Sequence, residues 1–271
     1  MCRLFGIIAD SPVSIENPIL EGIKPFIELS HKHHDGWGIG YLDNYPSGVQ
    51  SVRVVKSDYP AYRDDHFTGL VKRVVSSLAI VHLRDAKYGK VALKNTQPFL
   101  ARGWMFAHNG SIRNFKKIER GLNGFKFEGQ TDSERYFYLV LDRIKQTGNP
   151  LFGMCSAIHW LNENHFEGAK NFLMSDGKHL YAYRDGRDLF YVVRELPVLP
   201  IGHPKDTIDP NGPNPSGSNG TSKTVKMVIV ASEVLSDEDW REVPEDYLLF
   251  VDENLQITVL PNLESAVACQ I

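Results

Sequence analysis

Short apolar runs separated by turn residues recur along most of this 271-residue chain. Runs of this kind are typical of β-strands. They fall at residues 3–9, 36–42, 78–83, 104–107, 171–174, 180–183, 189–193, 225–231, 248–251 and 256–260. Because these runs outnumber the helical patterns and alternate with them irregularly, the sequence predicts an α+β fold with mainly antiparallel sheets. A doubly wound parallel sheet is not expected.

Only three segments have the apolar spacing of a helix. Residues 64–75 have an apolar stripe, and residues 150–162 form a second candidate. The third begins near Thr131, because Thr131-Asp132-Ser133-Glu134 has the form of a capping box and is followed by apolar residues at helical spacing. We therefore expect a helix to start at or near Thr131.

Residues 203–223 differ in composition from the rest of the chain. Pro, Gly, Asn, Ser and Asp dominate this segment, which has too few apolar residues to fold alone. The strand-like runs that follow are too short to form an independent domain. We expect a single domain over residues 2–271, with a flexible insertion at about 203–223.

Charge and cysteine content narrow the class of ligand and the compartment. The formal net charge is −3 without blocks of like charge, so neither nucleic acid nor an anionic membrane is an expected partner. The three cysteines lack both zinc-site spacing and the density of a disulfide scaffold, which favours the cytoplasm. No signal sequence or membrane-spanning run is evident, and a mature start at Cys2 is expected once Met1 is removed.

Cys2 becomes chemically distinctive if Met1 is removed. One residue then carries both a thiol and a free α-amine, whose ordinary pKa values are about 8.5 and about 7.7. The amine can take the thiol proton near neutral pH, so Cys2 would be a nucleophile with its own base. The alternative is that Cys2 is simply the residue after the start codon.

Asn109 and Gly110 follow a predicted strand, and two interpretations of this dipeptide are possible. Asn-Gly is a strong signal for a hairpin turn, and the dipeptide alone favours that reading. The asparagine amide and the next backbone N–H would also make two donors for the oxyanion of a tetrahedral intermediate.

Arg84 and Asp132 are candidates for binding an amino-acid head group. An arginine is a natural bidentate partner for an α-carboxylate, and an aspartate can bind an α-ammonium. The alternatives are a solvated Arg84 that pairs locally with Asp85, and an Asp132 that merely favours the start of its helix.

Neither a metal nor an organic cofactor is expected. His31, His33, His34 and Asp35 form the densest cluster of ligand-type residues, but they lack an i, i+4 histidine pair, so a polar turn is preferred. The glycines at 36, 38 and 40 lie within a strand pattern and lack the spacing of a dinucleotide site.

Taken in order, the motifs of the chain resemble those of the class II glutamine amidotransferases, which are N-terminal-nucleophile hydrolases. The similarity is greatest to the stand-alone branch related to enzymes of glutathione breakdown and ergothioneine synthesis. The motifs are residues 1–6, 35–41, 82–86, 95–99, 108–112, 131–134, 175–177 and 231–233. The resemblance implies a four-layer αββα sandwich, Cys2 as nucleophile, an oxyanion hole at Asn109 and Gly110, and head-group binding by Arg84 and Asp132.

The resemblance also implies an activity. We expect hydrolysis of the γ-amide of glutamine or of a γ-glutamyl compound through a Cys2 thioester, which releases glutamate and ammonia or an amine. A separate ammonia-accepting or peptidase subunit is a candidate partner. The alternative hypothesis is a catalytically idle glutamine-binding or scaffold subunit of a larger complex.

Overall fold

Two antiparallel β-sheets form the centre of the computed structural model, which describes residues 2–20, 25–44, 50–122, 124–197 and 224–262. The predicted insertion at 203–223 and the Met1–Cys2 bond lie outside the described residues. The strands are β1 Arg3–Ser14, β2 Trp37–Asn44, β3 Gln50–Ser57, β4 Val75–Leu83, β5 Phe99–Ala101, β6 Trp104–Gly110, β7 Lys170–Ser175, β8 Leu180–Arg184, β9 Phe190–Pro197, β10 Thr224–Ala231, β11 Arg241–Glu242, β12 Tyr247–Val251 and β13 Ile257–Pro261.

The helices flank the sheets. The α-helices are α1 Glu16–Leu20, α2 Asp65–Val71, α3 Asp132–Thr147 and α4 Pro150–Glu163, and short 3-10 helices span Phe26–His31, Ala61–Arg63, Leu93–Asn95 and Phe115–Gly121. Within the described ranges, no helix is long and apolar enough to cross a membrane.

The strand orders place the chain start in the middle of one sheet. In the described chain, the first sheet has the order β11-β9-β10-β1-β4-β2-β3 and the second the order β13-β12-β8-β7-β6-β5. All strand pairs that the structure records are antiparallel. The α+β prediction is therefore confirmed.

Side chains of β1 alternate between two apolar layers. Leu4 and Ile8 pack between the two sheets, whereas Phe5 and Ile7 pack with the apolar residues of α1 and α2. A third apolar cluster joins α3 and α4 to the outer face of the second sheet. The molecule is thus layered helix, sheet, sheet, helix, which confirms the predicted αββα sandwich.

Glycine permits close packing of the two sheets beside the chain start. A Cβ atom on Gly6 would lie 3.0 Å from Leu173 Cδ1 and 3.5 Å from Leu180 Cδ1, both on the facing sheet. A larger residue would push the sheets apart at this point. This close packing brings the start of β1 near the second sheet.

The helix predicted at Thr131 is present, but its cap differs from the expected one. Thr131 Oγ1 accepts a hydrogen bond from the backbone N–H of Glu134 at 3.2 Å. The Glu134 carboxylate does not complete the capping box; it accepts from the backbone N–H groups of Glu128 and Gly129 and pairs with Arg135. The helix ends at Thr147 and is followed by the C-cap Gly148, whose φ of 68° only glycine adopts at little cost.

Candidate active site

Strand pairing brings Cys2 beside the end of β4. Arg3 is paired with Leu83 in the antiparallel ladder of β1 and β4, so the residue before one meets the residues after the other. Cys2 Sγ lies 3.5 Å from the backbone nitrogen of Asp85 and 3.6 Å from its carbonyl oxygen. Cys2 is 8% exposed, and it lines a cavity that also contacts Arg84.

The surroundings of Cys2 disfavour its thiolate. Burial raises the pKa of the thiol to about 11, and the hydrogen bond from the Asp85 backbone only partly offsets this rise. Such a thiol is almost entirely protonated at neutral pH. To act as a nucleophile, Cys2 therefore needs a base close by.

Asn109 and Gly110 are the last residues of β6, paired with Asn171 and Lys170 of β7. The prediction of a hairpin turn at this dipeptide is wrong, because the strand continues through both residues. A Cβ atom on Gly110 would lie 1.9 Å from the carbonyl oxygen of Ala169, so the close approach of the chains requires glycine here. The glycine that made the dipeptide look like a turn is instead needed for close packing of the strand.

The Asn109 side chain is almost completely buried, with 2% exposure. Its Nδ2 donates to Ser232 Oγ at 3.4 Å, and its Oδ1 has no hydrogen-bond partner within the described structure. Ser232 Oγ also accepts from the backbone N–H of Leu4 at 2.9 Å. A network thus joins Asn109 on the second sheet to β1 on the first.

Arg84 is a buried cation whose Nη2 nitrogen is held by loop carbonyls. It is 3% exposed, and its Nη2 donates to the carbonyl oxygens of Tyr88, Gly89 and Lys90 at 3.2 to 3.4 Å. Its Nη1 is buried without a partner among the described residues. Burial lowers the pKa of Arg84, but a guanidinium stays charged in proteins. The solvated alternative for Arg84 is wrong, and Nη1 is available to an anion.

Asp132 is the first residue of α3 and is 4% exposed. Its Oδ2 accepts from the backbone N–H of Ile112 at 2.7 Å, and its Oδ1 accepts from Ser133 Oγ at 3.4 Å. These bonds fix the carboxylate, and its position in the first helical turn favours its negative charge. Among the described residues, the basic group recorded against this carboxylate is His108 Nδ1, which lies 4.0 Å from Oδ2.

One cavity collects most of the residues that the sequence singles out. Cys2, Arg84, Gly110 and Asp132 all line it, together with the exposed Lys87. Its volume is about 20 Å³, enough for roughly one water molecule.

Asn109 does not line that small cavity. It lines a neighbouring cavity of about 580 Å³ instead, together with Arg3, Arg187 and Ser232. Consecutive residues thus line different cavities: Cys2 and Gly110 one, Arg3 and Asn109 the other. Neither Ser232 nor Arg187 belongs to a sequence pattern that indicates chemistry, apart from the place of Ser232 in the motif at 231–233.

The histidine cluster does not form a metal centre. Among the residues that the structure describes, no group of three or more His, Cys, Asp or Glu side chains is arranged to hold a metal ion. His33 is buried with both ring nitrogens unpartnered, whereas His31 is exposed and lies 3.4 Å from Glu28. The residues end a 3-10 helix and begin the turn before β2.

Two stacked antiparallel sheets with helices on both outer faces form the fold of the N-terminal-nucleophile hydrolases. The model of the family "Glutamine amidotransferases class-II" matches residues 1–268. The chain therefore belongs to the class II glutamine amidotransferases.

Two relatives are similar over most of this chain. The chain is 28% identical over 263 residues to the Escherichia coli (strain K12) protein named "Putative glutamine amidotransferase YafJ", covering 92% of this chain and 97% of that one. It is 30% identical over 260 residues to "Uncharacterized protein MJ1515" of Methanocaldococcus jannaschii, covering 92% of this chain and 68% of that one.

Solved structures share the fold at low sequence identity. The glutamine aminotransferase class-II domain protein from Silicibacter pomeroyi superposes with a TM-score of 0.62 at 20% identity, covering 96% of this chain and 99% of that one. Glutamine phosphoribosylpyrophosphate amidotransferase from B. subtilis superposes with a TM-score of 0.64 at 18% identity, covering 97% of this chain and 50% of that one.

Proposed function

We propose that this protein hydrolyses the γ-amide of glutamine or of a γ-glutamyl compound through a thioester on Cys2. The observation that carries the proposal is the shared cavity, which is lined by the thiol-bearing residue, by Gly110 and by one buried residue of each charge, Arg84 and Asp132. These groups match the parts of a γ-glutamyl substrate: a carbonyl to attack, an α-carboxylate and an α-ammonium.

The head group is held by the two charged residues. Arg84 Nη1, buried and unpartnered, receives the α-carboxylate, while Nη2 is fixed by the loop carbonyls. Asp132 receives the α-ammonium, since its carboxylate is fixed by Ile112 and carries a negative charge at the cavity wall. The side chain of the substrate then extends toward Cys2.

The chemistry needs one proton carrier. Once Met1 is removed, the α-amine of Cys2 takes the thiol proton and the sulfur attacks the γ-carbonyl, which forms a C–S bond and an oxyanion. The Asn109 amide and the Gly110 N–H donate to that oxyanion. The C–N bond breaks as the ammonium returns its proton to the leaving nitrogen. Water then cleaves the thioester, giving glutamate and the free thiol.

The raised pKa of Cys2 makes the α-amine the key group. A thiol with a pKa of about 11 is a poor nucleophile at neutral pH unless a base is close by. The free amine of the same residue is such a base, and it exists only after Met1 is cut away. Activity is therefore expected only in the processed form.

The fate of the leaving group separates two versions of the proposal. Glutamine would release ammonia. Use of that ammonia in a synthesis would need a partner protein that accepts it. A relative named "Glutamine--fructose-6-phosphate aminotransferase [isomerizing]" from Encephalitozoon cuniculi matches the chain over only 23% of its own length. A larger γ-glutamyl compound would release an amine, and a peptidase could be the partner.

The decisive experiment measures glutamate release from glutamine and a panel of γ-glutamyl amides. Wild type is compared with Cys2→Ala and with Cys155→Ala, a control that removes a buried thiol in α4. Intact mass spectrometry establishes whether Met1 is absent. We expect release by wild type and Cys155→Ala and none by Cys2→Ala. No release by a processed wild-type protein would instead favour the idle-subunit alternative.

A further inference from the structure

The proposed head-group site leaves unused a cavity of about 580 Å³ beside it. Its lining includes Arg3, Asn109, Arg187, Asp188, Ser232 and Glu233. A volume of this size lies within the range of small-molecule sites, whereas a water molecule, similar in size to ammonia, occupies only about 30 Å³. Release of ammonia does not require such a space.

The cavity adjoins the proposed reaction centre through residues that are consecutive in the chain. The two cavities share a wall made of two consecutive pairs, Cys2–Arg3 and Asn109–Gly110, with one member of each pair on each side. A substrate whose carbonyl lies between Cys2 and the two oxyanion donors places its head group in the small cavity. Its leaving nitrogen then points toward the large one.

Arg187 is an exposed residue that contributes a cation to the wall of the large cavity. Asn171, paired with Asn109 in the sheet, holds its backbone: Asn171 Nδ2 donates to the Arg187 carbonyl at 2.8 Å, and the Arg187 N–H donates to Asn171 Oδ1 at 3.1 Å. The described structure records neither an ion pair nor a side-chain hydrogen bond for the Arg187 guanidinium. The neighbouring Arg3, in contrast, pairs with Glu233 at 2.6 Å.

We propose that this cavity binds the amine portion of a γ-glutamyl substrate, and that Arg187 recognises a carboxylate on that amine. The preferred leaving group is thus an amino acid or short peptide linked through its amino group. This inference rests on the proposed function, because it takes the γ-carbonyl to lie at Cys2. The guanidinium fork suits a carboxylate, whose two oxygens it can bind together.

The covalent step is unchanged by the larger leaving group. The amide C–N bond breaks, the C–S bond of the thioester forms, and the leaving nitrogen takes the proton that the α-amine had received from the thiol. The product amine becomes an ammonium in water, and Glu233 lines the cavity that it must cross. Water then regenerates the thiol as before.

The test compares three substrates that share one head group: γ-glutamylglycine, γ-glutamylglycinamide and glutamine. Glutamate release is measured with wild type, Arg187→Gln and Arg187→Lys. The control is Arg241→Gln, an exposed arginine on β11 that does not line the cavity. We expect wild type to prefer γ-glutamylglycine over its amide in kcat/KM by about tenfold or more, as a charge-assisted contact implies.

In Arg187→Gln this preference should disappear, while kcat/KM for glutamine and γ-glutamylglycinamide changes by less than about threefold. Arg187→Lys should keep part of the preference. Hydrolysis of glutamine with no preference for the free carboxylate, or an equal loss on all three substrates in Arg187→Gln, would overturn the inference and leave the proposed function standing. Absence of hydrolysis on every substrate would overturn both.

Discussion

Asn109 Nδ2 donates a hydrogen bond to Ser232 Oγ across the interface of the two sheets, at 3.4 Å. The serine follows β10 in the first sheet, and its oxygen also accepts from the backbone N–H of Leu4 in β1. These two hydrogen bonds fix the Asn109 amide relative to β1, the strand that begins directly after Cys2. Donors for an oxyanion are effective only when they are fixed before the reaction.

Ser232→Ala should lower kcat for glutamine by about fivefold to tenfold with little change in KM. The loss corresponds to roughly 1 kcal/mol, the usual net contribution of one hydrogen bond, and it falls on kcat because the amide acts on the transition state. Asn109→Ala should lower kcat by about 100-fold or more. The double variant should be no slower than Asn109→Ala, since Ser232 acts through that amide; additive losses would contradict this role.

Asp132→Asn should raise KM for glutamine by about 10-fold to 100-fold while kcat changes far less. The variant removes the charge proposed to bind the α-ammonium, and hydrogen bonds to charged groups contribute about 1.5–3 kcal/mol. Its amide oxygen can still accept from the Ile112 N–H, so the start of α3 is kept.

The matched substrate for this prediction is glutaramate, which lacks the α-ammonium of glutamine. Steady-state kinetics with glutaramate should give the same KM for wild type and Asp132→Asn. If the substitution raised KM equally for both substrates, Asp132 would act through the local structure and not through contact with the ammonium.

The sequence predicted most strands and helices because their apolar periodicity is local. Strand β3 was missed, since its residues are only partly buried and lie at the sheet edge. The turn expected at Asn109-Gly110 was wrong because contact with Ala169, distant in sequence, decides the conformation of Gly110. For the same reason no local pattern could indicate that Ser232 contacts Asn109, or that Arg187 and Asn109 line one cavity.

Alkylation of Cys2 should be slow and strongly pH-dependent in protein that still carries Met1. With a thiol pKa of about 11, roughly 0.1% is thiolate at pH 8, against about a quarter for an ordinary thiol. The rate with iodoacetamide should rise about tenfold per pH unit until near pH 11. Mass spectrometry of the Cys2 peptide measures it, with the Cys155 peptide as the reference for unfolding.

Protein from which Met1 has been removed should react faster at pH 8, because the free α-amine then shares the residue with the thiol. A rate that levels off near pH 8.5 in the Met1-bearing protein would contradict the effect of burial on this thiol.

His33 should make the fold less stable in mild acid. Burial, together with the nearby Arg3 cation, lowers its pKa to about 4, whereas the unfolded chain has an ordinary histidine pKa of about 6.5. Between these values the unfolded state binds a proton that the folded state does not. The stabilisation from neutral His33 is therefore complete above pH 6.5 and is lost as the pH falls toward 4.

Across that interval His33 should contribute a loss on the order of 2–3 kcal/mol to the free energy of unfolding, since each pKa unit corresponds to about 1.4 kcal/mol. Urea denaturation of wild type and His33→Gln at intervals from pH 7 to pH 4 measures it. The glutamine variant should lose less stability on acidification, because its side chain does not titrate. Parallel curves for the two proteins would mean that His33 is protonated alike in the folded and unfolded states, and the buried ring would then have no part in acid unfolding.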